Sequence, residues 1–155
     1  MVRFFNYFAL LAWLATVLLM IFNYNQLPDQ VPSHYNIQGE ADSWSSKGFV
    51  FFIPILAIFL WYIMSFIEKF PQFINMPGFH YETASKKQIQ LAKNLAKVLN
   101  IEVFLLLIWM SFNEIMNLVQ FYSLNLGVWD FVIFMAIITY TMIYYGIKIN
   151  RENKN

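Results

Sequence analysis

The stretch FVFFIPILAIFLWYIMSFIEKF, residues 49–70, decides the fold, because its first charged residue is Glu68. A helix that crosses a bilayer needs about 20 consecutive apolar residues, and this run has that length. Lipid offers no hydrogen-bond partners, so the backbone must satisfy its own polar groups, which a helix does within one segment. The stretch therefore predicts a transmembrane helix.

Three further segments have the same character, at residues 4–24, 98–122 and 128–147. Hydrophobic residues make up 59% of the 155 and charged residues only 12%, whereas about a quarter of residues are charged in soluble domains. The alternating polar residues of a transmembrane barrel are missing. We predict an all-α polytopic membrane protein, a single membrane domain over residues 1–155, with an outer loop at 25–47 and an inner loop at 71–97.

The basic residues indicate the orientation of these four segments. Nine of the ten lie on one side of the predicted membrane: Arg3, Lys69, Lys86, Lys87, Lys93, Lys97, Lys148, Arg151 and Lys154. Only Lys47 lies on the other side, and lysine and arginine are enriched in cytoplasmic loops. We expect both termini and the loop 71–97 to be cytoplasmic, and the loop 25–47 to face outward.

Several function classes are excluded or disfavoured. The chain has no cysteine, so disulfides and thiolate sites are impossible. A net charge of +1, with basic residues explained by topology, argues against a nucleic-acid partner. His34 has neighbouring serines but no nucleophile elbow or triad context, and its spacing from Glu40 and Asp42 matches no metal motif. We expect no enzyme activity, no cofactor and no metal.

The outer loop holds most of the groups able to do chemistry, and its sequence predicts an ordered structure. Each proline in Leu27-Pro28 and Val31-Pro32 fixes its own φ and favours an extended residue before it, so residues 27–34 should be stiff. Gly39 lies in a turn signal. Trp44 suits the membrane interface, and Lys47, at the amino end of a helix, should pair with Glu40 or Asp42.

This loop carries a family resemblance. The residues that carry it extend over about 21 positions: Leu27, Pro28, Val31, Pro32, His34, Gly39, Asp42, Trp44 and Lys47. Their pattern resembles the extracytoplasmic signature of the SdpI-like bacterial membrane proteins, which share a domain of unknown function (number 1648). Asn75 and Pro77 resemble a cytoplasmic Asn-x-Pro motif of the short four-span relatives. The resemblance implies a bacterial cytoplasmic membrane protein related to peptide-toxin immunity, although this chain lacks the additional spans of the immunity protein.

The third segment is unusual because it places polar residues in an apolar run: Glu102, Asn113, Glu114 and Asn117. At 100° per residue they form a stripe along one side of a helix. Charges within a bilayer are costly, so they normally face a bundle interior or water. Two interpretations remain open, hydrogen bonding between helices and a functional polar site. We expect His34 to lie over the outer end of the bundle, close to Asn113, Glu114 or Asn117.

Other features have similar alternatives. Trp13, Trp61 and Trp109 near mid-membrane indicate either packing between helices or an aromatic-lined pocket. Residues 82–97 read as a basic amphipathic helix that either lies on anionic lipid or extends the third segment inward, with docking of a cytoplasmic protein as the sharper alternative.

The sequence and the resemblance together favour a binding or protective module that senses or resists a secreted peptide at the outer face. The alternative is a small transporter, or a transporter subunit, that uses the stripe of the third segment. The expected ligand-binding or motif residues are Pro28, Pro32, His34, Gly39, Asp42, Trp44, Lys47, Asn113, Glu114 and Asn117. The expected partners are the lipid bilayer, a secreted peptide and, as an alternative, a cytoplasmic protein.

Overall fold

The chain folds around four long helices, as seen in a computed structural model that describes residues 2–36, 38–120 and 128–152. The helices are α1 (Val2–Asn23), α2 (Phe52–Ile67), α3 (Lys86–Leu118) and α4 (Val128–Arg151). A hairpin of two antiparallel strands, β1 (Gln30–Tyr35) and β2 (Ala41–Ser46), connects α1 with α2. All four helical segments, with the 3-10 turn Lys47–Phe51 extending α2, are long and apolar enough to cross a membrane. The predicted all-α multi-pass fold is confirmed.

The third helix is longer than the segment predicted from the sequence. It begins at Lys86, where Ser85 and Gln88 form a reciprocal capping box. Its 33 residues rise about 50 Å, more than the roughly 30 Å of a hydrocarbon core. Residues 86–97 are therefore a continuation of α3, one of the three alternatives for the predicted basic helix 82–97, whereas residues 82–85 precede the helix. The helix ends at Leu118, before the predicted end at residue 122; residue 122 itself, like Lys154, lies outside the described residues.

Helix α3 forms the centre of the bundle and packs against each of the other three helices. Within the most hydrophobic stretch of each helix, the buried share of residues is 44% for α3, 17% for α1, 17% for α2 and 11% for α4. A residue of α3 therefore faces other parts of the protein more often than a residue of α1, α2 or α4 does. This helix decides which side chains can meet inside the bundle.

Three clusters of buried side chains stack along the bundle, one at each end and one between. At the hairpin end the fully or nearly buried members are Met20, Leu27, Val31, Val50, Ile115 and Met116. In the middle they are Ala9, Ala57, Phe104 and Ile108. At the opposite end, called the loop end below, they are Phe79, Ala92 and Ile149. The four helices thus alternate in direction, with the starts of α1 and α3 at the loop end.

Two tryptophans join α1 to α2 by hydrogen bonds at mid-bundle. Trp13 Nε1 donates to the Pro54 carbonyl oxygen at 2.9 Å, and Trp61 Nε1 donates to Asn6 Oδ1 at 2.9 Å. A buried indole N–H needs an acceptor, and here the neighbouring helix supplies it. For these two residues the structure shows the packing role between helices.

Candidate functional site

The hairpin is held on the bundle by the two residues that precede its prolines. Leu27 and Val31 are buried in the cluster at the hairpin end, with Val31 fully inaccessible. Residue Val31 lies in β1, so the extended geometry that the following Pro32 favours is the geometry observed. Pro28 is exposed and precedes β1. The prolines therefore stiffen a segment whose apolar residues dock it onto the helices.

The turn of the hairpin is closed by Asn36. Its Oδ1 accepts hydrogen bonds from the backbone N–H groups of Gln38 and Glu40, at 3.0 and 2.9 Å. Gly39 has a φ of +80°, a left-handed conformation that glycine adopts without steric cost. The predicted turn is present, and the loop is a paired hairpin, a feature that the sequence did not predict.

Ion pairs in the hairpin differ from those expected. Lys47 Nζ lies 3.8 Å from Asp29 Oδ1, not beside Glu40 or Asp42, so that expectation was wrong. Asp29 precedes β1 and Lys47 follows β2, and the antiparallel register that pairs Gln30 with Ser46 brings them together. Lys47 also lies over the Tyr24 ring, 5.1 Å from its centroid, a favourable cation–π position.

His34 is paired with Asp42, the carboxylate that had been assigned to Lys47. The His34 Nδ1 atom lies 2.5 Å from Asp42 Oδ1, and since a carboxylate only accepts, the histidine supplies the proton. Both side chains are largely exposed, at 68% and 44%. In the strand register His34 pairs with Ser43, and the pairing is irregular on both sides of His34; Asp42 is the adjacent residue of β2 and reaches the histidine through its side chain. Trp44 pairs with Pro32 and is 57% exposed.

Beneath the hairpin lies a cavity of about 440 Å³, hereafter the hairpin-end cavity. Its walls come from the hairpin, the beginning of α2, the second half of α3 and the first turn of α4. Six of the ten expected ligand-binding or motif residues line it: Pro32, His34, Gly39, Asn113, Glu114 and Asn117. The hairpin and the polar residues of α3 therefore meet at one place. Pro28, Asp42, Trp44 and Lys47 are not among its lining residues.

The direct link between the hairpin and α3 is made by Tyr35 and not by His34. Tyr35 Oη donates to Glu114 Oε2 at 2.6 Å, a short bond typical of a charged or strongly polar acceptor. Burial raises the pKa of Tyr35, and the hydrogen bond and negative charge of Glu114 raise it further. The tyrosine proton is therefore retained and holds the hairpin to the bundle.

Two buried polar atoms at this cavity have no hydrogen-bond partner among the described residues. They are Glu114 Oε1, an acceptor, and Trp109 Nε1, a donor. Buried polar groups are nearly always paired with protein or water, so unpaired ones need an explanation. Both residues line the hairpin-end cavity, and a bound molecule there could satisfy them. Unlike Trp13 and Trp61, Trp109 therefore fits the aromatic-pocket interpretation.

Glu102, the remaining member of the polar stripe, belongs to a different place. Its Oε1 accepts a hydrogen bond from Thr141 Oγ1 of α4 at 2.6 Å, and it does not line the hairpin-end cavity. Glu102 Oε2 is buried without a partner in the described part of the chain. The stripe is thus divided between a contact of α3 with α4 and the hairpin-end cavity.

The Asn-x-Pro motif lies at the loop end, in a turn that packs against α4. Asn75 and Pro77 are exposed, and a bridge between Met76 and Phe79 closes the turn around them. Gly78 has a φ of +79°, and a Cβ atom there would lie 1.6 Å from Asn150 Oδ1 of α4. Phe79 is buried against Ala92 and Ile149. This turn clasps the end of α4 at a site remote from the cavity.

Sequence reasoning missed much of the cavity lining, including Tyr35, Asp130 and Phe131. Tyr35 follows His34 in β1, so regular alternation would place the two side chains on opposite faces of the strand. The register is irregular between these two residues, so alternation does not predict which face Tyr35 takes. Phe131 and Asp130 lie in the first turn of α4, and no pattern in the sequence indicated that this turn reaches the hairpin end. The available signal for Tyr35 was its place beside the motif residue His34, in a chain that also has a glutamate within an apolar segment.

Comparison with known proteins locates the similarity in the first half of the chain. Residues 10–58 match a family model described as Domain of unknown function (DUF1648); the match covers most of α1, the hairpin and the beginning of α2. An uncharacterized protein of Archaeoglobus fulgidus is 33% identical over 78 residues, covering 45% of this chain and 40% of that protein. The chain therefore spans less than half the length of this curated relative. No solved structure matches the chain.

Proposed function

We propose that this protein is a bacterial membrane module that binds a secreted membrane-active peptide at the hairpin end, and so resists or senses it. The observation that carries the proposal is the hairpin-end cavity, about 440 Å³ in volume. Small-molecule and peptide sites are concave, mostly apolar and furnished with a few polar groups. Here the polar groups are Glu114 and Trp109, each with one unsatisfied buried atom.

The resemblance to SdpI-like proteins supports the same function. The matched residues 10–58 include the whole hairpin, where the signature residues lie, while the deeper wall of the cavity comes from α3. In this proposal the hairpin is the part shared with the family, and α3 supplies the groups particular to this chain. The division fits a common scaffold with a variable ligand.

The proposed orientation places the hairpin outside the cytoplasmic membrane and both termini inside. Alternating helix directions put the basic residues of the described chain, except Lys47, near the loop end, as the positive-inside tendency requires. A peptide that arrives from outside would then meet the hairpin first. The bilayer is the second partner, and a cytoplasmic protein at the loop end is an alternative one.

A binding role fits the hairpin chemistry better than catalysis. His34 is bonded to Asp42, whereas the nearby Ser33 Oγ donates to Ser43 Oγ at 3.2 Å. A hydroxyl nucleophile needs a base within hydrogen-bond reach, and these two bonds use the histidine and the serine separately. We propose that the protein is not an enzyme.

A toxin-challenge assay tests the proposal. Cells that produce the protein, and matched cells that do not, are exposed to purified bacteriocin peptides in a growth-inhibition series. We expect at least one peptide to need a several-fold higher concentration to stop the producing cells. Replacing Trp109 by Ala should abolish the protection, and Trp44→Ala, outside the cavity, should preserve it. Equal sensitivity of producing and non-producing cells to every peptide would contradict the proposal.

The second candidate function is transport through the bundle. It is favoured by Glu102 and Glu114, two acidic residues of α3 that each keep one buried oxygen without a partner in the described structure. Carboxylates inside a membrane are expensive and commonly serve ion or proton pathways. Glu114→Gln should abolish proton-coupled uptake into vesicles without reducing membrane insertion, if transport is the function.

A further inference from the structure

The charged side chains that line the hairpin-end cavity are acidic. Its described lining includes the carboxyl groups of Glu114 and Asp130, and neither lysine nor arginine. The one basic side chain present, His34, is held by Asp42. Lys47, the nearest lysine in the hairpin, lies beside Asp29 and over Tyr24. An anionic ligand would therefore find no free cation here, whereas a cationic one would find a carboxylate.

The rest of the lining is mainly apolar and aromatic, including Phe49, Phe52, Trp109 and Phe131. Such walls favour a ligand with an apolar body, and aromatic faces also attract cations. A metal ion fits poorly, because hard cations require several oxygen ligands and Trp109 offers an N–H donor. The cavity is thus suited to an organic cation on an apolar body.

The two unpartnered atoms further restrict the ligand. Glu114 Oε1 needs a donor and Trp109 Nε1 needs an acceptor. Residues 109 and 114 are about 7.5 Å apart along the helix axis and about 140° apart around it, and both line the cavity. An extended peptide advances about 3.3–3.6 Å per residue, so a peptide whose ammonium group reaches Glu114 would bring a carbonyl toward Trp109 about two residues later. A simple alkylamine carries no such acceptor.

We propose that the hairpin-end cavity recognises the free amino terminus of a hydrophobic peptide, with the ammonium group at Glu114 Oε1 and a backbone carbonyl at Trp109 Nε1. This inference rests on the proposed peptide-binding function and names the part of the peptide that is recognised. Tyr35 positions the carboxylate by occupying its other oxygen, Oε2. The ammonium group, with three donors, supplies both the charge and the hydrogen bond that this glutamate lacks.

The test uses the full-length protein in nanodiscs of zwitterionic lipid, with empty nanodiscs as the blank. The probe is a tripeptide amide of leucine and phenylalanine, compared with its acetylated form and with hexylammonium. We expect saturable binding of the free tripeptide by calorimetry. The acetylated form should bind at least tenfold more weakly, since a hydrogen bond to a charged group is lost. Hexylammonium should also bind more weakly.

Two variants and one control assign the effect to the named atoms. Glu114→Gln keeps an acceptor for Tyr35 and should remove the preference for the free amino terminus. Trp109→Phe should weaken the tripeptide and leave hexylammonium unchanged. Glu102→Gln is the matched control, because Glu102 is another buried glutamate of α3 that bonds Thr141 and lies outside the cavity; it should preserve the preference.

Equal binding of the free and acetylated tripeptides, or a preference that survives Glu114→Gln, would overturn the inference. The same holds if neither tripeptide binds the wild-type protein. The toxin-challenge assay decides separately whether the proposed function itself is wrong. If protection there still depends on Trp109 while acetylation has no effect on binding, the cavity binds peptides by another part and only recognition of the amino terminus is wrong.

Discussion

At the scale of single residues, Tyr35 and Glu114 connect the two halves of the candidate site. The hydrogen bond between them joins residues 79 positions apart in the chain, at a distance of 2.6 Å. Glu114 lies within an apolar helix, where an unpaired carboxyl group would be costly. The tyrosine therefore stabilises the buried glutamate and fixes the hairpin over the cavity in one contact.

Replacing Tyr35 by Phe should lower the free energy of unfolding by about 1–3 kcal/mol, the usual effect of leaving a buried polar group without its partner. Thermal unfolding in detergent measures the loss. Tyr62→Phe is the matched control, since Tyr62 is 68% exposed on α2, and it should be nearly neutral. Equal effects of the two substitutions would show that the hydroxyl of Tyr35 contributes nothing.

The same contact predicts a dependence on alkaline pH. Burial and then Glu114 raise the pKa of Tyr35 in the folded protein, above its unfolded value of about 10. The stabilisation is therefore fully present below about pH 10 and is lost as the pH rises through the folded-state value. The stability difference between wild type and Tyr35→Phe should be constant from pH 7 to 9 and shrink above pH 10. A difference that grows there would contradict this sign.

Gly78 gives a second prediction at this scale. Its φ of +79° is strained for any residue with a Cβ atom, whereas the Asn150 side chain that a Cβ would meet is exposed and can rotate away, so Gly78→Ala should destabilise the protein by about 1–2 kcal/mol. Gly146→Ala is the control, because its Cβ would meet only Met76 Cε at 3.9 Å and alanine favours a helix. Thermal unfolding of both variants makes the comparison. A harmless Gly78→Ala would show that the clasp is loose.

At the scale of elements, the hairpin and α3 together make the cavity. The hairpin has few strands and could not be stable alone, so its order depends on Leu27 and Val31 docking in the cluster at the hairpin end. Helix α3 is the opposite case, since it packs against three helices and forms the rigid wall. A helix that packs against three others and a docked hairpin together enclose the ligand site.

Replacing Val31 by Ala should therefore loosen the hairpin more than the bundle. The change removes two fully buried methyl groups and should cost about 2 kcal/mol. Hydrogen exchange followed by mass spectrometry should show faster exchange in β1 and β2 with little change in α3. Gln30→Ala, an exposed neighbour in β1, is the control. Faster exchange spread equally over all helices would contradict the docking role.

At the scale of the whole molecule, four alternating helices separate a hairpin end from a loop end. The hairpin end carries the cavity and the histidine pair, and the loop end carries the turn that clasps α4 through Gly78 and Phe79. The two ends are joined mainly by α3, which packs against each of the other three helices. The orientation of this axis in the membrane decides whether the cavity is available from outside the cell.

The orientation can be measured by labelling single cysteines, because the chain contains none of its own. Gln38→Cys in the hairpin turn and Glu82→Cys at the loop end are both at exposed positions. An impermeant thiol reagent should label only position 38 in intact cells and both positions in permeabilised ones. Labelling of position 82 in intact cells would reverse the proposed orientation.

The local pattern of the sequence was enough to specify four helices long and apolar enough to cross a membrane, because about twenty apolar residues in lipid can satisfy their backbone only as a helix. It also determined the stiff residues 27–34 and the turn at Gly39, since proline and glycine act locally. It did not determine that Lys47 pairs with Asp29, that His34 pairs with Asp42, or that Tyr35 reaches Glu114. Those contacts depend on strand register and on the docking of the hairpin against α3, which bring distant residues together only in the folded chain.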